Sequence, residues 1–203
     1  GEWGFKIGGR NIKTYNNTAY NNASHNYFFY DDDRLTSQNL DIKNNISASG
    51  PSTNSESRLM YARTNMGDVA AKITGLDNNL YFRASSTTPK YVLGWNGSTV
   101  NLNFATLAAA QQQTGRETKG ILIEGKSVAT LFKDANAGDF KLTGSSAALS
   151  AAATIPSDVA AALGQTSTTV ANIGALSWKN GTSSVLASST PDPVVVVTPV
   201  PAV

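Results

Sequence analysis

The sequence predicts an all-β solenoid of stacked parallel strands, finished by a short helix and an irregular C-terminal closing region. Three observations carry this expectation. Short aromatic segments alternate with segments that end in paired asparagines. Each type recurs after about 23–34 residues, and the alternation stops near residue 96. A recurrence of that length is the trace that stacked supersecondary units leave in a sequence.

The aromatic segments are Gly4-Phe5-Lys6-Ile7-Gly8-Gly9, Tyr27-Phe28-Phe29-Tyr30, Arg58-Leu59-Met60-Tyr61 and Tyr91-Val92-Leu93-Gly94-Trp95. None is long enough to bury an apolar face alone, but an equivalent strand stacked about 4.8 Å above supplies the missing cover. The asparagine pairs are Asn16-Asn17, Asn44-Asn45 and Asn78-Asn79. Asparagine tolerates the left-handed backbone that a sharp corner needs, and equivalent asparagines in successive layers can join their amides into a ladder. Residues 1–100 are therefore expected to form three to four layers with these pairs above one another. The alternative is a β-sandwich in which Asn-Asn pairs simply mark loops.

The second half reads differently. Asn103 as N-cap, a run of helix formers and Gly115 predict a helix over residues 104–114. Ser127–Phe132 and Asp139–Thr143 read as strands flanking the Asn136-Ala137-Gly138 turn, and Pro156 with Asp158 opens a second helical turn near Ser157. A linker-like Pro/Val tail occupies residues 177–203. Its run Val194, Val195, Val196 and Val197 is of strand length and suits β-pairing with a neighbouring sheet edge, including that of a second copy.

Composition excludes several function classes. A net charge of +2 is too small to argue for nucleic acid, no apolar run can span a membrane, and no cysteine is present for disulfides or thiolate metal sites. The lone His25 removes any multi-histidine metal centre and reads as a surface residue in a polar corner. Asp31-Asp32-Asp33 reads as a polar corner, because three consecutive aspartates on an extended chain cannot converge on one ion. No metal ligands are assigned within the chain.

Taken in order, Asp77-Asn78-Asn79-Leu80-Tyr81-Phe82, the helix, Ala129-Thr130-Leu131-Phe132-Lys133-Asp134, Gly138-Asp139-Phe140-Lys141-Leu142, Gly144-Ser145-Ser146-Ala147-Ala148-Leu149 and Asn172-Ile173-Gly174-Ala175-Leu176 resemble the C-terminal end of secreted polysaccharide lyases. The resemblance implies an all-β, right-handed parallel β-helix (solenoid), with a closing region over residues 101–176 and a location outside the cell or on its surface. Gly4-Phe5-Lys6-Ile7-Gly8-Gly9 also resembles the lysine-bearing strand of the family nine pectate lyases.

That narrower likeness implies β-elimination on an acidic polysaccharide, with Lys6 as the base and calcium held by acidic turns that would precede Gly1. Between Phe5 and Ile7, Lys6 would project outward, where partial desolvation or a neighbouring Arg10 would favour the neutral amine. Arg10, Trp3 and Tyr30 are the expected substrate-binding residues. Trp3, Tyr20, Tyr27, Tyr30, Tyr61 and Trp95 could form a sugar-stacking stripe, although aromatics at strand spacing are more often core. The blander account of Lys6 is a solvated lysine on an outer strand face. The competing function is a non-catalytic surface fibre that self-assembles through residues 194–197, and a third is carbohydrate binding without turnover.

Overall fold

A computed structural model describes residues 2–31, 36–49 and 57–175, together with two short strands near the C-terminus. The expectations for Asp32, Asp33 and residues 194–197 fall outside the described residues.

Three circuits of chain each contribute one strand to each of three sheets. The first holds β1 (Trp3–Ile7), β2 (Lys13–Tyr15) and β3 (Thr18–Tyr20), and the second β4 (His25–Asp31), β5 (Leu40–Lys43) and β6 (Ile46–Ser49). The third holds β7 (Arg58–Thr64), β8 (Ile73–Asp77) and β9 (Leu80–Arg83), with the single helical turn α1 (Val69–Lys72) before β8. β10 (Tyr91–Asn96) continues the first sheet. The strands β1, β4, β7 and β10 pair in parallel, as do β2, β5 and β8, and β3, β6 and β9.

The two members of each asparagine pair divide the work. Asn16, Asn44 and Asn78 take the left-handed backbone at the corner between the second and third sheets, with φ of 53°, 58° and 55°. Asn17, Asn45 and Asn79 build the ladder. The amide Nδ2 of Asn17 donates to Asn45 Oδ1 at 3.1 Å, and that of Asn45 to Asn79 Oδ1 at 3.0 Å. The pairs thus lie above one another as expected.

The expected fold class, an all-β right-handed parallel β-helix, needs correction. The described residues form several separate sheets, mostly parallel but one of them mixed and two antiparallel, with short helices between them. The departure begins after β10. There Gly97 donates to the Val100 carbonyl in a tight turn, and β11 (Asn101–Phe104) runs back antiparallel to β10. The helix α2 (Leu107–Thr114) follows, capped by Thr106 and closed by left-handed Gly115. Only then does β12 (Ile121–Glu124) rejoin the third sheet.

The helix expected over residues 104–114 is therefore shorter at its start, because Phe104 is claimed by β11 and buried. The strand expected over residues 127–132 is also corrected. Ser127 caps a 3₁₀ turn at Val128–Thr130, and only β13 (Phe132–Asp134) pairs with β14 (Asp139–Leu142). The helical turn near Ser157 is present as α3 (Ser157–Ala162). The strands β15 (Ser177–Lys179) and β16 (Thr182–Ser184) form a second antiparallel pair.

The core lies between the three sheets. Phe5, Tyr27, Met60 and Leu93 form one inward row of the first sheet, and Ile7, Phe29, Ala62 and Trp95 the next. The C-terminal region covers the outsides of the other two sheets. In the third sheet Ala19, Tyr81 and Leu122 face the central core. Ile46, Ala48, Leu80 and Phe82 face away from it and pack beneath Leu131, Phe132 and Leu142. On the second sheet Tyr15 packs against Ile155, Val159 and Ala160 of the α3 region. Neither of these clusters includes a residue from the outer face of the first sheet.

Candidate functional site: an aromatic and cationic sheet face

The outer face of the first sheet is built by strand alternation. In β4 the residues Tyr27 and Phe29 point inward, so Phe28 and Tyr30 point outward. Parallel register then sets Lys6, Phe28, Tyr61 and Gly94 in one row across the sheet, and Tyr30, Arg63 and Asn96 in the next.

The rings make a connected platform. Phe28 stacks on Tyr61 at 5.2 Å between centroids and on Tyr30 at 5.4 Å, while Trp3 lies 5.9 Å from Phe28. Trp3, Phe28, Tyr30, Tyr61 and Tyr91 are each half-buried, so each keeps some surface open to solvent. Half-buried rings on a sheet exterior suit the apolar faces of sugar rings.

Cations sit on these rings. The Lys6 ammonium lies 4.8 Å from the Trp3 centroid and 4.5 Å from that of Tyr30. The Arg58 guanidinium lies 4.3 Å from Tyr61 and 5.4 Å from Tyr91, and Lys90 lies 5.1 Å from Tyr91. Such contacts contribute about 0.5–1 kcal/mol at exposed sites, enough to position a cation without immobilising it. The two principal cations differ in freedom. Arg58 is 7% exposed and donates through Nε to Asn103 Oδ1 at 2.7 Å, whereas Lys6 is exposed.

Gly94 explains how Arg58 can lie flat. A Cβ there would stand 2.6 Å from both Arg58 Cδ and Tyr61 Cδ2. The sheet therefore needs a glycine where the guanidinium crosses it.

His25 supports this face from beneath and corrects its reading as a surface residue. It is 7% exposed, meets Tyr61 and Phe28 edge-on, and accepts the Arg58 backbone N–H at Nδ1. Burial, and secondarily the Arg58 charge, lower its pKa from 6.5 to about 4.

The structure brings Trp3, Lys6 and Tyr30 together and leaves Arg10 apart. Arg10 lies beyond β1, where its backbone bridges to Gln38, and it joins none of the ring contacts. Lys6 rests on the ring faces of Trp3 and Tyr30. Of the expected aromatic stripe, Tyr27 and Trp95 are core and Tyr20 packs against Phe132 and Phe140. Sequence reasoning missed Phe28, Arg58 and Tyr91. The alternation within Tyr27-Phe28-Phe29-Tyr30 was the available signal for Phe28.

Asp31 likewise proves to be buried, paired with the Lys72 ammonium at 3.1 Å. Among the described residues no three acidic or histidine side chains converge on a position that could hold a metal ion. Calcium requires six to eight oxygen ligands, and the described residues assemble no acidic cluster to supply them. Among the same residues no helix is long and apolar enough to cross a membrane. Compared with known protein families, curated proteins and solved structures, the chain shows no match.

Proposed function

We propose that this chain is the carbohydrate-engaging part of an extracellular polysaccharide-processing protein, and that the outer face of the first sheet binds an acidic polysaccharide. One observation carries the reading. The C-terminal region roofs the outsides of two sheets, while the first sheet presents half-buried rings with cations resting on them. Rings offer stacking surface to sugars, and the cations select anionic ones and draw them in from solution.

Binding of polygalacturonate to the full chain, followed by calorimetry in dilute buffer, tests this. Saturable binding that weakens with added salt is the expected result, since exposed charges are screened. A chain that binds no acidic polysaccharide overturns the reading.

Cleavage by β-elimination, with Lys6 as base, is the catalytic extension of the same reading and rests on the lysine-strand resemblance. It is tested by the ultraviolet absorbance of the unsaturated product, compared between the wild type and Lys6→Ala. Self-association through residues 194–197 rests on the sequence alone. Size in solution with and without residues 191–203 tests it.

A further inference from the structure

We infer that Trp3, Lys6 and Tyr30 form one uronate subsite, in which the two rings take the sugar and the Lys6 ammonium takes its carboxylate. This rests on the polysaccharide reading and makes Lys6 the residue that sets acid preference.

Geometry separates Lys6 from the other cations of the face. Arg58 is buried, held at Nε by Asn103, and lodged against Gly94. It can shape the platform but cannot swing to meet a ligand. Arg63 of β7 donates to Asn65 Oδ1 just past the strand, and Lys90 rests on the single ring of Tyr91. Arg58 also spans two rings, Tyr61 and Tyr91, but it is buried, whereas Lys6 is exposed and bridges Trp3 of β1 and Tyr30 of β4. Among the described residues no carboxylate pairs with Lys6.

A sugar ring laid on Trp3 or Tyr30 would displace the ammonium from the ring face. A neutral sugar gives the displaced ammonium no anionic partner. A uronate offers a carboxylate on the same ring, and a charge-assisted hydrogen bond replaces the cation–ring contact with a stronger one. The preference thus arises from an exchange of partners at one side chain.

The test compares polygalacturonate with its fully methyl-esterified form, which has the same backbone with the carboxylates masked. Wild type is expected to prefer the acid form. Lys6→Gln is expected to lose about tenfold in affinity for that form, the loss of one charged hydrogen bond, with affinity for the ester unchanged. Lys6→Arg should restore the preference, and Tyr30→Ala should weaken both polymers alike. An unchanged melting temperature for Lys6→Gln, whose side chain is exposed, separates loss of binding from loss of fold. If wild type binds neither polymer, the polysaccharide reading itself falls. If wild type prefers the acid and Lys6→Gln keeps that preference, only the Lys6 assignment falls.

Discussion

Asn79 passes the asparagine ladder to a carboxyl group, for its Nδ2 donates to Glu117 Oε1 at 2.7 Å. The Asn79 backbone N–H reaches Oε2 at 3.3 Å, and the Tyr81 hydroxyl donates to Oε1 at 2.6 Å. Glu117 therefore stands where the next layer would present an asparagine. Arg116 beside it reaches the carbonyls of Ile73 and Thr74, and Gln111 of α2 holds the Glu117 carbonyl. The departure from regular layering is thus tied to the ladder by one fully buried acid.

Burial raises the Glu117 pKa from 4.5 to about 7, although the hydrogen bonds from Tyr81 and Asn79 oppose the shift. An acid whose folded pKa is raised contributes stability that is complete below 4.5 and lost as pH rises through about 7. The span corresponds to about 3 kcal/mol. Glu117→Gln should remove this slope, so its stability relative to wild type should improve by about that amount from the acid to the alkaline side. Chemical denaturation across this range measures it, and parallel curves for the two proteins contradict it.

His25 works in the opposite sense. Its folded pKa is lowered from 6.5 to about 4, so its contribution is present above 6.5 and is lost as pH falls through about 4. Between 4.5 and 6.5 the two groups nearly cancel, and wild-type stability should change little. His25→Gln should expose the falling slope of Glu117 with rising pH, and Glu117→Gln the rising slope of His25. A His25→Gln profile as flat as wild type would show that the histidine is not held neutral.

Asn45 is fully buried. It accepts from the Asn17 backbone and side chain, and it donates to Asn79 and to the carbonyls of Thr14 and Lys43. Asn45→Ala strands several of these groups away from water, at a cost of about 3 kcal/mol or more. Asn39→Gly, at an exposed amide that donates to Asn11 and a left-handed φ of 55° that glycine also adopts, should cost less than about 1 kcal/mol. Equal losses at the two sites, measured by denaturant unfolding, would deny the ladder its structural role.

Gly94→Ala inserts a methyl group where Arg58 and Tyr61 already meet. Overpacking of this kind costs about 1–3 kcal/mol. The variant should also weaken polygalacturonate binding, because Arg58 must leave Tyr61. Retention of both stability and binding would mean that the guanidinium need not lie flat on the sheet.

Much of the layering was legible because it is periodic. Asparagine pairs at matching intervals specify corners, and Tyr27-Phe28-Phe29-Tyr30 announces a strand. What the period could not show was where it fails. Nothing in the sequence announces that Gly97 folds β11 back onto β10, and Phe104 by itself reads as the start of a helix. The polar setting of His25 pointed to the surface, yet Tyr61 and Arg58 arrive from the next layer, 33 or more residues away, to bury it. In the sequence Trp3, Lys6 and Tyr30 stand out singly, for stacking and for a strand motif. That they meet follows from the register of β1 against β4, and Arg10, three residues beyond that register, stays outside.

The most direct test of the central claim is the affinity of the full chain for polygalacturonate, compared between wild type and Tyr61→Ala. Tyr61 stacks on Phe28, lies under Arg58 and accepts a hydrogen bond from Asn96, so its ring joins the two halves of the platform. Wild type should bind with salt-sensitive affinity, and Tyr61→Ala should lose about tenfold or more while remaining folded. Equal affinity in the two proteins would place the ligand elsewhere and contradict the account.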